Sequence, residues 1–204
     1  GYQAKDEDSR RSRVVASDAK CQKFILQSMF HYVAALKIST KHVYQALPRL
    51  LSAWFEFTSI QREQVAAFFN ESTKLEEYMK LLDGNRSLAN GLIARDLKQI
   101  PASAFYTAMP QLIARVTHDD TETALVVQSV LQRVLTKFPL EAMWPLAWLK
   151  GSKNSDRSKI GEDIFKKASK LLKRSNRKME KLLGGADSLF RFLRDLAVFA
   201  GVKA

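Results

Sequence analysis

"FYTAMPQL", residues 105–112, lies inside a run whose apolar side chains, Phe105, Met109, Leu112, Ile113 and Val116, recur at the spacing of one helical face. Pro110 interrupts it. A proline within a helix removes one backbone hydrogen bond and crowds the carbonyl four residues back, at about 3 kcal/mol or more. The interruption is not isolated. "VYQALPRL" at 43–50 aligns on it without gaps and shares Tyr, Ala, Pro and Leu at four of eight positions, and "AMWPL" at 142–146 is a shorter echo. A proline at one place in a repeated helical unit can bend the helix so that successive pairs stack along a curved axis. The alternative is that each proline stands in a first turn, with the residues before it in a separate short helix. Both readings give stacked helical pairs.

The remainder of the chain agrees with helix. Residues 1–16 carry mixed charge and little apolar content, which predicts a disordered segment. A first helix is expected from Ser17 to Ile38, burying Phe24, Ile25, Met29, Tyr32, Val33 and Leu36. Thr40 is placed to cap a second, with Val43, Leu47, Leu50, Leu51, Trp54 and Phe55 inward. A third is expected over 62–82, broken by "DGN" at 83–85, and a fourth over 87–99. Pro101 opens the helix carrying Pro110, "HDDTET" caps the next, which runs to Lys137, and Pro139 ends it and opens "LEAMWPLAWLK". A basic helix over 157–174 follows, then two helices, 178–183 and 186–200, separated by Gly184 and Gly185. No segment reads as a strand. The fold class is all-α: an α-solenoid of stacked antiparallel helical hairpins, HEAT- or TPR-like, over residues 17–204.

Eight glycines form no phosphate-cradling loop, and His31, His42 and His118 stand at no metal-ligand spacing. Cys21 is a lone thiol, which suits a reducing compartment. Asp119, Asp120 and Glu122 sit where a helix N-terminus favours acids. Catalytic residues, cofactor-binding residues and metal ligands are therefore all expected to be none, and no cofactor is expected. The net charge of +12 is uneven: between Lys150 and Lys181 twelve Lys or Arg stand against four acids. Lys166, Lys167, Lys170, Lys173 and Arg174 form a candidate basic interaction surface. No aromatic residue interleaves with them, which argues against stacking on single-stranded nucleic acid and for a solvated or protein-facing surface.

Three ordered blocks carry a resemblance. "YQALPRLLSAWFE" supplies Tyr44, Gln45, Pro48 and Arg49; "AFYTAMPQLIARVTH" supplies Gln111, Leu112, Ile113 and Arg115; "FPLEAMWPL" supplies Pro139, Ala142, Met143 and Trp144. In this order and spacing they resemble the FAT domain of ATR-type checkpoint kinases, members of the phosphatidylinositol 3-kinase-related kinases, over about 24–183. Pro110, Pro145 and the first 20 residues lie outside that pattern, which leaves the orthologue open and admits a divergent, fungal-like member. The resemblance implies a parent that is a nuclear Ser/Thr protein kinase signalling replication stress and DNA damage, with an accessory subunit. It implies for this segment a scaffold that wraps and restrains the kinase domain following it, with neighbouring repeats and homodimer contacts as further partners. Direct nucleic-acid binding and membrane association are not expected. The competing expectation is a free-standing helical-repeat adaptor that binds acidic partners or nucleic acid through residues 150–181.

Overall fold

The computed structural model describes residues 2–60, 65–66, 68–69 and 71–199. Among them every regular element is a helix: α1 (Tyr2–Ile38), α2 (Val43–Thr58), α3 (Ser72–Asp96), α4 (Ala102–Tyr106), α5 (Met109–Ala114), α6 (Thr121–Lys137), α7 (Pro139–Lys150), α8 (Ser155–Ser175) and α9 (Arg177–Phe199). They form two compact units, Gly1–Ile100 and Pro101–Ala204.

In the first unit α1 packs on α2 and α3, and α2 on α3. The α2 face is the expected one: Val43, Leu47, Leu50, Leu51, Trp54 and Phe55 are all buried. Its start differs. Thr40 to His42 form a turn, and His42 occupies the cap position without a side-chain hydrogen bond. α1 begins at Tyr2, so Ser17 lies within the helix; the stretch Tyr2–Ile38 holds no glycine or proline to stop its propagation. Its buried stripe is narrower than the periodicity suggests. Met29, Val33 and Leu36 are enclosed, whereas Phe24 and Ile25 are exposed and the polar Gln22 is buried in their place. Part of the third expected helix, 62–64, 67 and 70, lies outside the described residues.

"DGN" does not break α3. Tyr78, Leu82, Ala89 and Ile93 bury one continuous face through it, and that packing outweighs the roughly 1 kcal/mol that Gly84 costs in a helix. Two buried polar groupings fix this unit. The Trp54 indole N–H donates to Asn90 Oδ1 at 2.9 Å. Between α1 and α3, Tyr78 donates its hydroxyl proton to Asp18, Gln22 Nε2 donates to Asp18 Oδ2 at 2.7 Å, and Asn85 Nδ2 donates to Gln22 Oε1 at 3.0 Å.

In the second unit α6 packs on α8, α7 lies against α6 and α8, and α9 lies against α7 and α8. Connections are short. Phe138 alone joins α6 to α7, and Asn176 alone joins α8 to α9. This is the stacked helical-pair arrangement expected of the sequence. One cap was legible: Asp120 accepts from the Thr123 N–H at 2.8 Å to start α6. Asn154 accepts from the Asp156 and Arg157 N–H groups at 3.0 Å and starts α8 at Ser155, two residues before the expected 157. At the α7–α8 junction the backbones nearly touch. A Cβ on Gly161 would stand 2.7 Å from the Lys150 nitrogen, and Ser158 donates its hydroxyl proton to the Lys150 carbonyl at 2.7 Å.

The prolines divide between the two readings. Pro48 and Pro145 are inside α2 and α7. The amides they lack would have bonded the carbonyls of Tyr44 and Glu141, and both residues are exposed, so water can serve those carbonyls. Pro110 instead stands in the first turn of α5, separated from α4 by Thr107 and Ala108. The helix expected through Pro110 is thus two short ones. Pro101 caps α4 from outside rather than entering its first turn. The "GG" break is absent too: α9 runs through Gly184 and Gly185, which face open space, because Leu183 and Phe190 on either side bury in one register.

Candidate interaction surface

None of the described residues form a group of three or more His, Cys, Asp or Glu able to hold a metal ion. His31 is exposed and meets Phe30 edge-on at 5.7 Å. His42 is exposed. His118 is buried, and its Nδ1 accepts the Asp120 N–H at 3.0 Å, a local turn contact. Cys21 is an exposed free thiol. Asp120 is engaged as a helix cap, and Glu122 stands in the first turn of α6. No helix of the described residues is long and apolar enough to cross a membrane.

The perturbed ionisable groups have structural causes. Burial, and then Asp18, push the Tyr78 phenol well above its ordinary value, so it stays a donor. The Arg95 guanidinium, hydrogen-bonded to Asp96 at 2.9 Å, holds that carboxyl below the usual range, with Lys37 Nζ 3.5 Å away as a lesser contributor. Burial lowers Arg133, whose guanidinium lies 5.9 Å from the centroid of the Phe105 ring. None of these lines a cleft with a nucleophile. A cavity of about 270 Å³ between α7, α8 and α9 is lined by Lys150, Glu162, Asp187, Phe190, Arg191 and Arg194. Its inner charges neutralise one another: Asp187 accepts from Lys150 at 2.6 Å and from Arg191 at 2.8 Å.

What remains is surface. On α8, Lys166, Lys170, Lys173 and Arg174 are exposed, and Lys167 is exposed but paired with Asp163 at 2.5 Å. The opposite face of α8 is the buried one, through Ile164, Phe165, Ala168 and Leu172. The three blocks behind the family resemblance scatter by role. Tyr44, Gln45 and Arg49 are exposed in the first unit, with Pro48 half-buried. In the second unit Leu112, Pro139 and Ala142 are core, Gln111, Ile113 and Met143 are half-buried, and Arg115 and Trp144 are exposed. The Ile113 carbonyl accepts from Arg157 at 3.1 Å and so ties α5 to α8. These residues form packing faces, not one site.

Sequence periodicity missed a different surface. Leu140, Trp144 and Trp148 along α7, and Leu182, Leu189, Leu193 and Leu196 along α9, are exposed, Trp148 to 67%. The available signal was that both helices are apolar on more than the face they bury.

The family model described as "Serine/threonine-protein kinase ATR-like, HEAT repeats" matches residues 89–190. That description names HEAT repeats and does not name a FAT domain. Similar curated proteins include Serine/threonine-protein kinase ATR of Arabidopsis thaliana, 32% identical over 76% of this chain and 5% of that protein. The corresponding protein of Oryza sativa subsp. indica is 31% identical over 70% of this chain and 5% of its own length. Protein kinase rad3 of Schizosaccharomyces pombe is 26% identical over 64% and 5%. The chain therefore spans about 5% of the length of these relatives. No solved structure matches it significantly. With half the chain matched by the family model and the helical pairs it describes present in the fold, this chain belongs to the HEAT-repeat family of ATR-like serine/threonine-protein kinases.

Proposed function

We propose that this chain is a non-catalytic helical scaffold segment of a nuclear Ser/Thr kinase that signals DNA damage and replication stress. In the parent protein it holds position between neighbouring helical repeats and restrains the kinase domain, in the manner of a FAT-type brace. The observation that carries this reading is the family match over 89–190. A segment of this kind acts by geometry: partner binding shifts packed helix pairs, and the shift is felt where the repeats touch the catalytic part. No cofactor is needed for that work.

The test compares the intact parent kinase with a form in which residues 101–199 are unfolded in place by Leu112→Asp and Leu131→Asp. Both residues are fully enclosed in the second unit. The expected result is a change of about tenfold or more in basal or DNA-stimulated phosphorylation with ATP affinity retained. Unaltered basal and stimulated rates in a protein shown by limited proteolysis to be disrupted there would refute the scaffold. Salt-dependent DNA binding by the 204-residue chain, abolished by reversing Lys166, Lys170, Lys173 and Arg174, would instead favour the adaptor reading.

A further inference from the structure

α8 and α9 pack against each other across the single residue Asn176 and run antiparallel. Near their turn the Ser169 hydroxyl donates to Glu180 Oε1 at 3.3 Å. Farther along, Glu162 of α8 lines the same cavity as Arg191 and Arg194 of α9. Between these two points the solvent side of the pair is cationic. Over residues 166–181 eight Lys or Arg stand against one acid, Glu180, which already accepts from Ser169. On α8, Lys166, Lys170 and Lys173 recur at four and three residues, a stripe opposite the buried Ile164, Phe165, Ala168 and Leu172. On α9, Arg177 and Lys181 lie one turn apart beside Glu180. All five cations are exposed, and among the described residues none has a carboxylate in ion-pair reach, whereas Lys167 is taken by Asp163. Gly184, three residues beyond Lys181, adds no side chain, and a Cβ there would meet nothing within 4 Å, which leaves the seam open.

The seam is also short. Lys166 to Lys173 is about 11 Å at 1.5 Å per helical residue. Acids stand beyond each end: Glu162 past Lys166, and Glu141 at the turn, beside Asn176 and Met179, both exposed. A duplex would carry its phosphates on over those acids, and no exposed aromatic residue stands among the cations to stack a base. Four of the five are lysines, which meet carboxylates as point charges and lack the fork with which arginine grips phosphate. An extended peptide rises about 3.3 Å per residue, so about four to six residues cover the seam. The chain's own longest acidic run, Asp6 to Asp8, is followed by Arg10, Arg11 and Arg13, and a second copy would bring its own +12 against the same cations.

We propose that the α8–α9 seam is a docking surface for a short, extended acidic peptide of a separate partner protein, rich in aspartate and glutamate. Its carboxylates meet Lys166, Lys170, Lys173, Arg177 and Lys181. This contact does not depend on any restraint of a kinase domain, so its failure would leave the scaffold reading standing.

The test uses the full-length parent kinase and fluorescein-labelled peptides read by anisotropy, one of alternating glutamate and serine and one with glutamine in place of glutamate. The glutamate peptide is expected to bind saturably, at least about tenfold tighter than the glutamine peptide, and to weaken as salt is raised. Lys166→Glu with Lys173→Glu and Lys181→Glu is expected to cost at least about tenfold in affinity, and the corresponding triple change to glutamine an intermediate loss. Lys41→Glu with Lys80→Glu and Lys98→Glu removes three exposed lysines elsewhere and alters net charge equally; it should leave binding within about twofold. Equal losses in the two glutamate triples would mean diffuse attraction to a basic chain and overturn the proposal. An absence of saturable binding overturns it too. So does tighter binding, through the same three lysines, of charge-matched duplex DNA or of phosphatidylserine vesicles, which would assign the seam to nucleic acid or to a membrane surface.

Discussion

Replacing Gly161 by alanine is expected to destabilise the second unit, although alanine is the better helix former. The added Cβ would lie 2.7 Å from the Lys150 nitrogen and 2.8 Å from its Cα, where ordinary contact begins at 3.4 Å. Both neighbours are backbone at the end of α7, so no side chain can turn aside; α8 has to move away by most of the shortfall. That loosens Ile164, Phe165 and Ala168 and lengthens the Ser158 hydrogen bond to the Lys150 carbonyl. Overpacking of this kind costs about 1–3 kcal/mol, and the gain in helix propensity returns about 1 kcal/mol. Because the obstruction is backbone, a net loss of about 1–2 kcal/mol is expected, or a Tm lowered by roughly 3–6 °C for a chain of this size. Gly184→Ala provides the internal comparison. Its Cβ meets nothing within 4 Å, so propensity acts alone and Tm should rise by roughly 2 °C. Thermal and urea unfolding followed by far-ultraviolet circular dichroism reads both signs. If the two alanines stabilise alike, the close approach of α8 to α7 is wrong, and with it the register of the whole stack.

Three further outcomes follow from the polar contacts. Asn90→Ala strands the buried Trp54 indole N–H and should cost about 1–3 kcal/mol in urea unfolding, whereas Trp54→Phe combined with Asn90→Leu, which removes both partners, should cost less than the single change. Asp120→Ala removes the cap of α6 and should lose about 1 kcal/mol, with Asp120→Asn retaining most of it. Asp96 has its folded pKa depressed by Arg95 and Lys37, so its contribution is present above the unfolded carboxylate value of about 4 and is lost as pH falls through the folded value. Asp96→Asn should therefore lower stability near neutrality and flatten the acid limb of a stability–pH curve; an unchanged limb would mean that other carboxylates set it.

The helical character and most of the core were legible because burial in stacked helices repeats at one period, as Leu47, Leu51, Trp54 and Phe55 display on α2. Misreadings fall where local chemistry and packing disagree. Gly84 and the pair Gly184–Gly185 carry turn chemistry, but Leu82 with Ala89, and Leu183 with Phe190, bury in phase across them, and phase prevails. Pro110 is the reverse case, where local chemistry prevails and α4 ends before α5 starts. The exposure of Lys166, Lys170, Lys173 and Arg174 was expected from their place opposite the apolar face. The Trp144–Trp148 ridge was not, since an apolar residue outside the core has the same letter as one within it, and only neighbours tell them apart. Likewise nothing in a single sequence joins Asp18 to Tyr78 across sixty positions.

The single-residue hinge at Asn176 and the one-sided seating of α9 have a kinetic corollary. α8 packs on α6, α7 and α9 and is tied to α5 through Arg157, whereas the main packing of α9 is on α7 and α8. Its amides should trade hydrogen for deuterium soonest and those of α8 last, a gradient of protection across adjacent rungs of one ladder. Whatever settles along the outer edge of α9 would then do more than shield oily side chains: by slowing the peeling of that rung it would stiffen the ladder below it.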